Sequence, residues 1–196
     1  MSLAGQHQAQ NAATAMAAVE VFVKRVGSAR GFGEGFSADQ VRQALLKVTW
    51  PGRMELVSCT LPDKTIRVLF DGAHNEDGMR ALRQALTRAY SRRRLIFCFG
   101  MLADKAVEES LQILLPLGDA FVVTPPPSAR AGQWKNIVSF LRTAGSLCVE
   151  EEDNKEAMRV AMAMCDEEDL LCVTGSLYML SEARSFVLSL HNALPA

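Results

Sequence analysis

RVLFDGAHNEDGMR, residues 67–80, is the stretch that decides how this chain folds. A short apolar run, Val68-Leu69-Phe70, ends in an acid, two small residues, a histidine and an amide, and a polar segment follows at once. Apolar residues at 79, 82, 86 and 89 then fall on one face of a helix. The stretch therefore reads as a strand, a tight turn and a helix start.

Working outward, the same unit recurs. The runs "MELVSCT" and "TIRVLF" are followed by helix, "LIFCF", helix, "AFVV", helix, "LCV", helix, "LLCV" and a last helix from about Tyr178. Apolar runs separated by helices predict a mostly parallel sheet covered on both faces. The connection "LPDK" between the first two runs is of hairpin length, so the first strand is expected antiparallel to the second. Upstream, "QHQAQNAATAMAAVEVFVKRV" (6–26) is alanine-rich with apolar residues at helical spacing and predicts one helix. A glycine-dense loop, "GSARGFGEG", follows it, and Ser37 then offers an N-cap to a short helix that stops before Trp50-Pro51-Gly52.

The totals exclude several classes. With 196 residues the chain holds one domain, or one domain and a fragment of another. Its 21 basic and 22 acidic residues nearly cancel, so no summed field is present to hold nucleic acid or an anionic membrane. Five cysteines, an odd number without a CxxC pair, predict a reduced, cytoplasmic setting. No apolar run approaches the ~20 residues that span a bilayer, and the amino terminus has no signal-peptide pattern.

In an open parallel sheet ligands gather beyond the carboxyl ends of the strands. Four strand ends here carry polar groups: Asp71, His74 and Asn75; Asp104 and Lys105; Thr124, Ser128 and Arg130; Thr174 and Ser176. The opposite ends, "SRRR" and "DEED", are expected to carry only solvating charges. Asp71 suits a carboxylate on a ribose diol, or a cap for the following helix. His74 has a plain structural turn reading beside a functional one, and Asn75 is equally a plain turn or cap residue. No second histidine or cysteine stands at ligand spacing, so no metal site is expected within the chain. Gly175-Ser176 at a helix start suits a carboxylate or phosphate, or simple capping. A triad of Ser176, His74 and Asp71 would lack the G-x-S-x-G elbow. Arg53 is either a guanidinium reaching phosphate or an exposed linker arginine. No G-x-x-x-x-G-K-[ST] occurs and no G-x-G-x-x-G follows a strand, so any nucleotide site here is partial.

Taken together, "HQAQNAATAMAAVE", "WPGRMEL", "LFDGAHNEDGMRAL", "FGMLADK", "TPPPSARA" and "VTGSLYML" resemble, in order and approximate spacing, the carboxyl-terminal part of the folylpolyglutamate synthase and dihydrofolate synthase family within the Mur ligase superfamily. The resemblance covers nearly the whole chain. It implies an α/β fold over residues 49–196, a Rossmann-like, mostly parallel six-stranded sheet flanked by helices. Residues 1–48 are then the helical tail of a central ATPase domain and a linker.

The resemblance further implies part of an ATP-dependent ligase that forms C–N bonds, adding L-glutamate to folate or dihydropteroate through an acyl phosphate. Carried over word by word, Asn11, Arg53 and Asp71 resemble ATP contacts, and His74 and Ser176 resemble residues lining the glutamate site; no catalytic residue is carried over. The implied cofactors are ATP and magnesium, with the magnesium ligands and the P-loop in an amino-terminal domain outside this sequence. That domain is the implied protein partner, and the chain by itself is expected to be inactive. Two departures fall in loops: the span from Arg53 to Asp71 is longer than in the family, and the glycine-rich loop is expanded. A non-catalytic Rossmann-like nucleotide-binding or interaction module is the alternative.

Overall fold

The computed structural model describes residues 6–27, 36–91 and 93–192. The chain divides into two compact units, Met1–Trp50 and Pro51–Ala196.

In the first unit α1 spans Gln6–Phe22 and continues as a π-helical turn, Val23–Gly27. The single helix expected to Val26 thus ends in a π-helical turn rather than an α-helical one. Most of the glycine-dense loop lies outside the described residues. Helix α2, Ala38–Lys47, begins as expected at Ser37: its Oγ accepts from Gln40 N at 3.2 Å, and Gln40 Oε1 accepts from Ser37 N at 2.8 Å. No residue of α2 is buried, and Val41 and Leu45 line an open apolar groove with Met16 and Val19 of α1.

The second unit is built on six strands: β1 Glu55–Thr60, β2 Thr65–Phe70, β3 Leu95–Phe99, β4 Ala120–Val123, β5 Leu147–Glu150 and β6 Leu170–Thr174. Their order is β1-β2-β6-β3-β4-β5. Strand β1 pairs antiparallel with β2, as the short connection predicts, and every other pairing is parallel. Strands β3, β4 and β6 are buried at every position, which explains their unbroken apolar runs.

Five helices cover the sheet: α3 Glu76–Tyr90, α4 Val107–Leu114, α5 Lys135–Thr143, α6 Asn154–Ala163 and α7 Leu177–Asn192. One core joins α3, α4 and α5 to the sheet face that carries Leu69, Phe97, Phe121 and Cys172, where the rings of Phe97 and Phe121 stack at 5.2 Å. The other joins α6 and α7 to the face of Val68, Cys98, Val122 and Val173. On α3 the expected Met79, Leu82 and Leu86 are buried, but Ala89 is exposed and Tyr90 packs instead. At 100° per residue positions 89 and 90 flank the 79–82–86 face on opposite sides, about equally far from its centre, and the larger Tyr90 side chain is the one that reaches the core.

The strand ends expected to be merely solvated are instead cross-linked. Arg94 Nη1 meets the buried Asp169 at 2.9 Å, Arg93 donates to Glu168 O at 2.6 Å, and Leu95 N donates to Asp119 at 2.8 Å. The crossover into β6 brings the two charged loops side by side, which spacing along the chain does not reveal.

Candidate functional site

The topology makes a crevice. After β2 the chain leaves toward α3 on one face, after β6 toward α7 on the other, and after β3 toward α4 on the first. Neighbouring loops therefore part at the carboxyl ends of β2, β6 and β3, the arrangement in which open α/β sheets bind ligands. A cavity of about 160 Å³ lies there, lined by His74, Lys105, Arg130, Ser176 and Tyr178 with the backbone of Gly175.

Close backbone packing fixes its floor. Gly175 N donates to Ala73 O at 3.1 Å and Gly100 N to Thr174 O at 3.3 Å, so the three strand ends are tied together. Gly175 has φ +107°, and a Cβ on it would stand 2.5 Å from Gly100 O. Only glycine fits that junction.

His74 is half-buried, with Nδ1 2.8 Å from Gly72 O. A carbonyl can only accept, so Nδ1 carries the proton and Nε2 of the neutral ring is an acceptor. Ser176 is buried, and its Oγ accepts from Tyr178 N at 3.3 Å, which leaves its O–H to donate elsewhere. Arg130 is ion-paired with Asp104; the hydrogen bond between them raises the pKa of Arg130 and holds that of Asp104 below the usual carboxylate value. Lys105 and Arg130 both line the cavity, so two cations border it, one of them paired with Asp104, a balance that suits an anionic ligand.

Asp71 sits one residue past β2 and is 6% exposed. Its Oδ1 accepts from Ala73 N and its Oδ2 from Met54 N, both at 3.0 Å. It does not cap α3: Asn75 does, accepting from Gly78 N at 2.9 Å. Arg53 lies in the turn before β1, and the register Glu55↔Phe70 sets that turn beside the loop after β2. Gly72 N donates to Gly52 O at 2.8 Å, closing the two together. The Arg53 side chain is half-buried and, among the described residues, makes no hydrogen bond or ion pair.

Four of the five residues singled out from the sequence, Arg53, Asp71, His74 and Ser176, thus stand on one rim of the sheet, and His74 and Ser176 share a cavity that Arg53 and Asp71 do not line. Asn11 belongs to the first unit, exposed on α1, its amide donating to Gln8 Oε1 at 3.3 Å. Sequence reasoning missed Tyr178, and it gives Lys105 and Arg130 only as polar groups beyond β3 and β4. Their position just past a strand end is the signal that could have promoted them. Among the described residues there is no group of three or more His, Cys, Asp or Glu side chains that could hold a metal ion.

Residues 52–177 match the family "Mur ligase, glutamate ligase domain". The chain is 28% identical over 183 residues to the dihydrofolate synthase/folylpolyglutamate synthase of Bacillus subtilis, covering 93% of this chain and 40% of that protein. Over 135 residues it is 37% identical to the enzyme of the same name from Mycobacterium tuberculosis, covering 67% of this chain and 25% of the relative. The solved structure of Mycobacterium tuberculosis folylpolyglutamate synthase complexed with ADP superposes with a TM-score of 0.79 at 31% identity, covering 94% of this chain and 41% of that one. The chain therefore spans about two fifths or less of the length of these relatives. The family match across most of the sheet, together with these relatives, shows that the chain belongs to the Mur ligase family, as the glutamate ligase domain found in folylpolyglutamate and dihydrofolate synthases.

Proposed function

We propose that this chain is the carboxyl-terminal portion of an ATP-dependent ligase that adds L-glutamate to folate or dihydropteroate. The acceptor carboxylate attacks the γ-phosphorus of ATP and releases ADP; the glutamate amine then attacks the acyl carbon and releases phosphate. Phosphorylation is what gives an otherwise inert carboxylate a leaving group. The P-loop and magnesium ligands belong in this reading to a partner domain outside these residues, in the same cytoplasmic enzyme.

The observation that carries the reading is the cavity at the switch point. Glutamate brings two carboxylates and an ammonium group. Lys105, Arg130 and the Ser176 hydroxyl suit the carboxylates, and the Nε2 acceptor of His74 suits the amine, which must shed a proton before it can attack. Arg53 is the phosphate contact, Asp71 the ribose carboxylate and Asn11 the residue near adenine, by likeness to the family.

The test uses the product of the complete reading frame with ATP, folate and L-glutamate, following glutamylated folate by mass spectrometry. Ser176→Ala and His74→Ala are expected to raise KM for glutamate about tenfold, the equivalent of one good polar contact, with KM for ATP unchanged. Absence of ATP-dependent glutamate addition by the unchanged enzyme would overturn the reading. The purified chain by itself is expected to ligate nothing.

A further inference from the structure

The turn that carries Arg53 is strained. Gly52 has φ 74° and Met54 φ 49°, and Met54 is the one side-chain-bearing residue with positive φ among the described residues. Such a conformation persists only where the surroundings over-determine it, and it is concentrated at sites where geometry matters.

Here the surroundings do so. Gly52 O accepts from Gly72 N at 2.8 Å, Met54 N donates to Asp71 Oδ2 at 3.0 Å, and Gly52 N donates to Glu55 Oε2 at 2.8 Å. The third fastening depends on a fourth residue. Arg184, on α7, grips the Glu55 carboxylate with Nε at 3.0 and 2.9 Å and Nη2 at 2.8 Å, a two-pronged bond across 129 positions of sequence. Glutamate has three rotatable bonds, and a planar guanidinium is the partner that fixes both of its oxygens at once. Both side chains are half-buried, at 33% and 23% exposure, so solvent is only partly excluded from the pair. Arg184 follows Tyr178 by about 9 Å along the same helix, so one rigid element braces the turn and also furnishes a wall of the cavity.

We infer that Glu55 and Arg184 are positioning residues: together they hold the Gly52–Met54 turn in its strained form and so aim the Arg53 guanidinium at a phosphate of a bound nucleoside triphosphate. The inference rests on the reading of Arg53 as a nucleotide contact. A support that merely kept the sheet folded would have no reason to converge on the one strained turn whose central side chain stays unpaired.

A double-mutant cycle in the product of the complete reading frame tests it, with KM for ATP, KM for glutamate, kcat and the thermal midpoint measured for each form. Arg53→Ala is expected to raise KM for ATP about tenfold, the loss of one charge-assisted phosphate contact. Glu55→Gln is expected to raise it several-fold without changing KM for glutamate. In the Arg53→Ala background Glu55→Gln should add no more than about twofold, because residues acting through one another are not additive. Effects that multiply in the double variant, or a Glu55→Gln enzyme with normal KM for ATP, would overturn the positioning role. An unchanged KM for ATP in Arg53→Ala overturns the nucleotide reading itself and the inference with it, a separate arm of the cycle. Arg184→Lys keeps the charge and loses the fork; it is expected to show a smaller rise of the same kind, and it carries the test if Glu55→Gln does not fold.

Discussion

Asp71 Oδ2 accepts the backbone N–H of Met54 at 3.0 Å, across 17 positions of sequence, while its other oxygen takes the N–H of Ala73. One carboxylate thereby fastens the turn ahead of β1 to the loop behind β2, and the rim of the sheet is continuous where two chain segments meet.

Removing that carboxylate leaves two amides without their acceptor, in a place water scarcely reaches. Asp71→Ala is expected to cost about 2–4 kcal/mol at roughly 1–2 for each orphaned group. Asp71→Asn keeps one oxygen and should lose about half as much. Urea denaturation of the purified chain measures both; equal midpoints for all three forms would show that the fastening does not contribute.

Two glycines with positive φ separate backbone strain from steric clash. Gly175 has φ +107° and stands against Gly100 O, whereas Gly145, at φ +79°, has nothing within 4 Å of the place a methyl group would occupy. Gly145→Ala is expected to cost about 1 kcal/mol and Gly175→Ala about 2–4 kcal/mol, because a collision is added to the strain. Equal thermal midpoints for the two variants would contradict the close approach at the rim.

Acid stability should depend on Glu55. The hydrogen bond from Arg184 lowers its pKa below the ordinary 4.5, helped by the Gly52 N–H and opposed by burial. A depressed carboxylate binds its proton more weakly in the folded state, so its stabilisation is complete above about pH 4.5 and fades as pH falls through the folded value. Glu55→Gln should therefore flatten the loss of stability between about pH 5 and 3. Denaturation midpoints that fall just as steeply in the variant would dismiss this residue as a source of the acid limb.

Thiol labelling should be sharply graded. Burial pushes Cys98 and Cys165 up to about 12 and raises Cys172 and Cys59 as well; all four are buried, while Cys148 on β5 is half-exposed. Ellman's reagent at mildly alkaline pH is expected to take Cys148 first and the other four only after denaturation. Rapid reaction of a second thiol in the native chain would contradict the packing of the sheet.

Much of the fold was legible because strand and helix signals are local. The six apolar runs, the hairpin between β1 and β2 and the Ser37 cap all depend on neighbours a few positions apart. The insertion of β6 between β2 and β3 is not local, and no periodicity announces it. That insertion is what joins His74 to Ser176. Asp71 was legible as a strand-end acid, yet its two readings, ribose ligand or helix cap, both missed the fastening to Met54, since a bond over 17 positions leaves no mark in a pattern. Glu55 and Arg184 escaped for the same reason, more strongly: nothing in "RMEL" or "EARS" points to the other.

The pinch of Gly175 against Gly100 separates what evolution can alter from what it must leave. The crevice floor is main chain pressed on main chain, with no room for a methyl group, while Arg130 and Tyr178 are exposed side chains at its edge, with Lys105 half-buried beside them. A descendant of this sequence that came to accept a different small molecule would keep both glycines and rewrite the projecting side chains, so ancestry is recorded in the floor and diet in the walls.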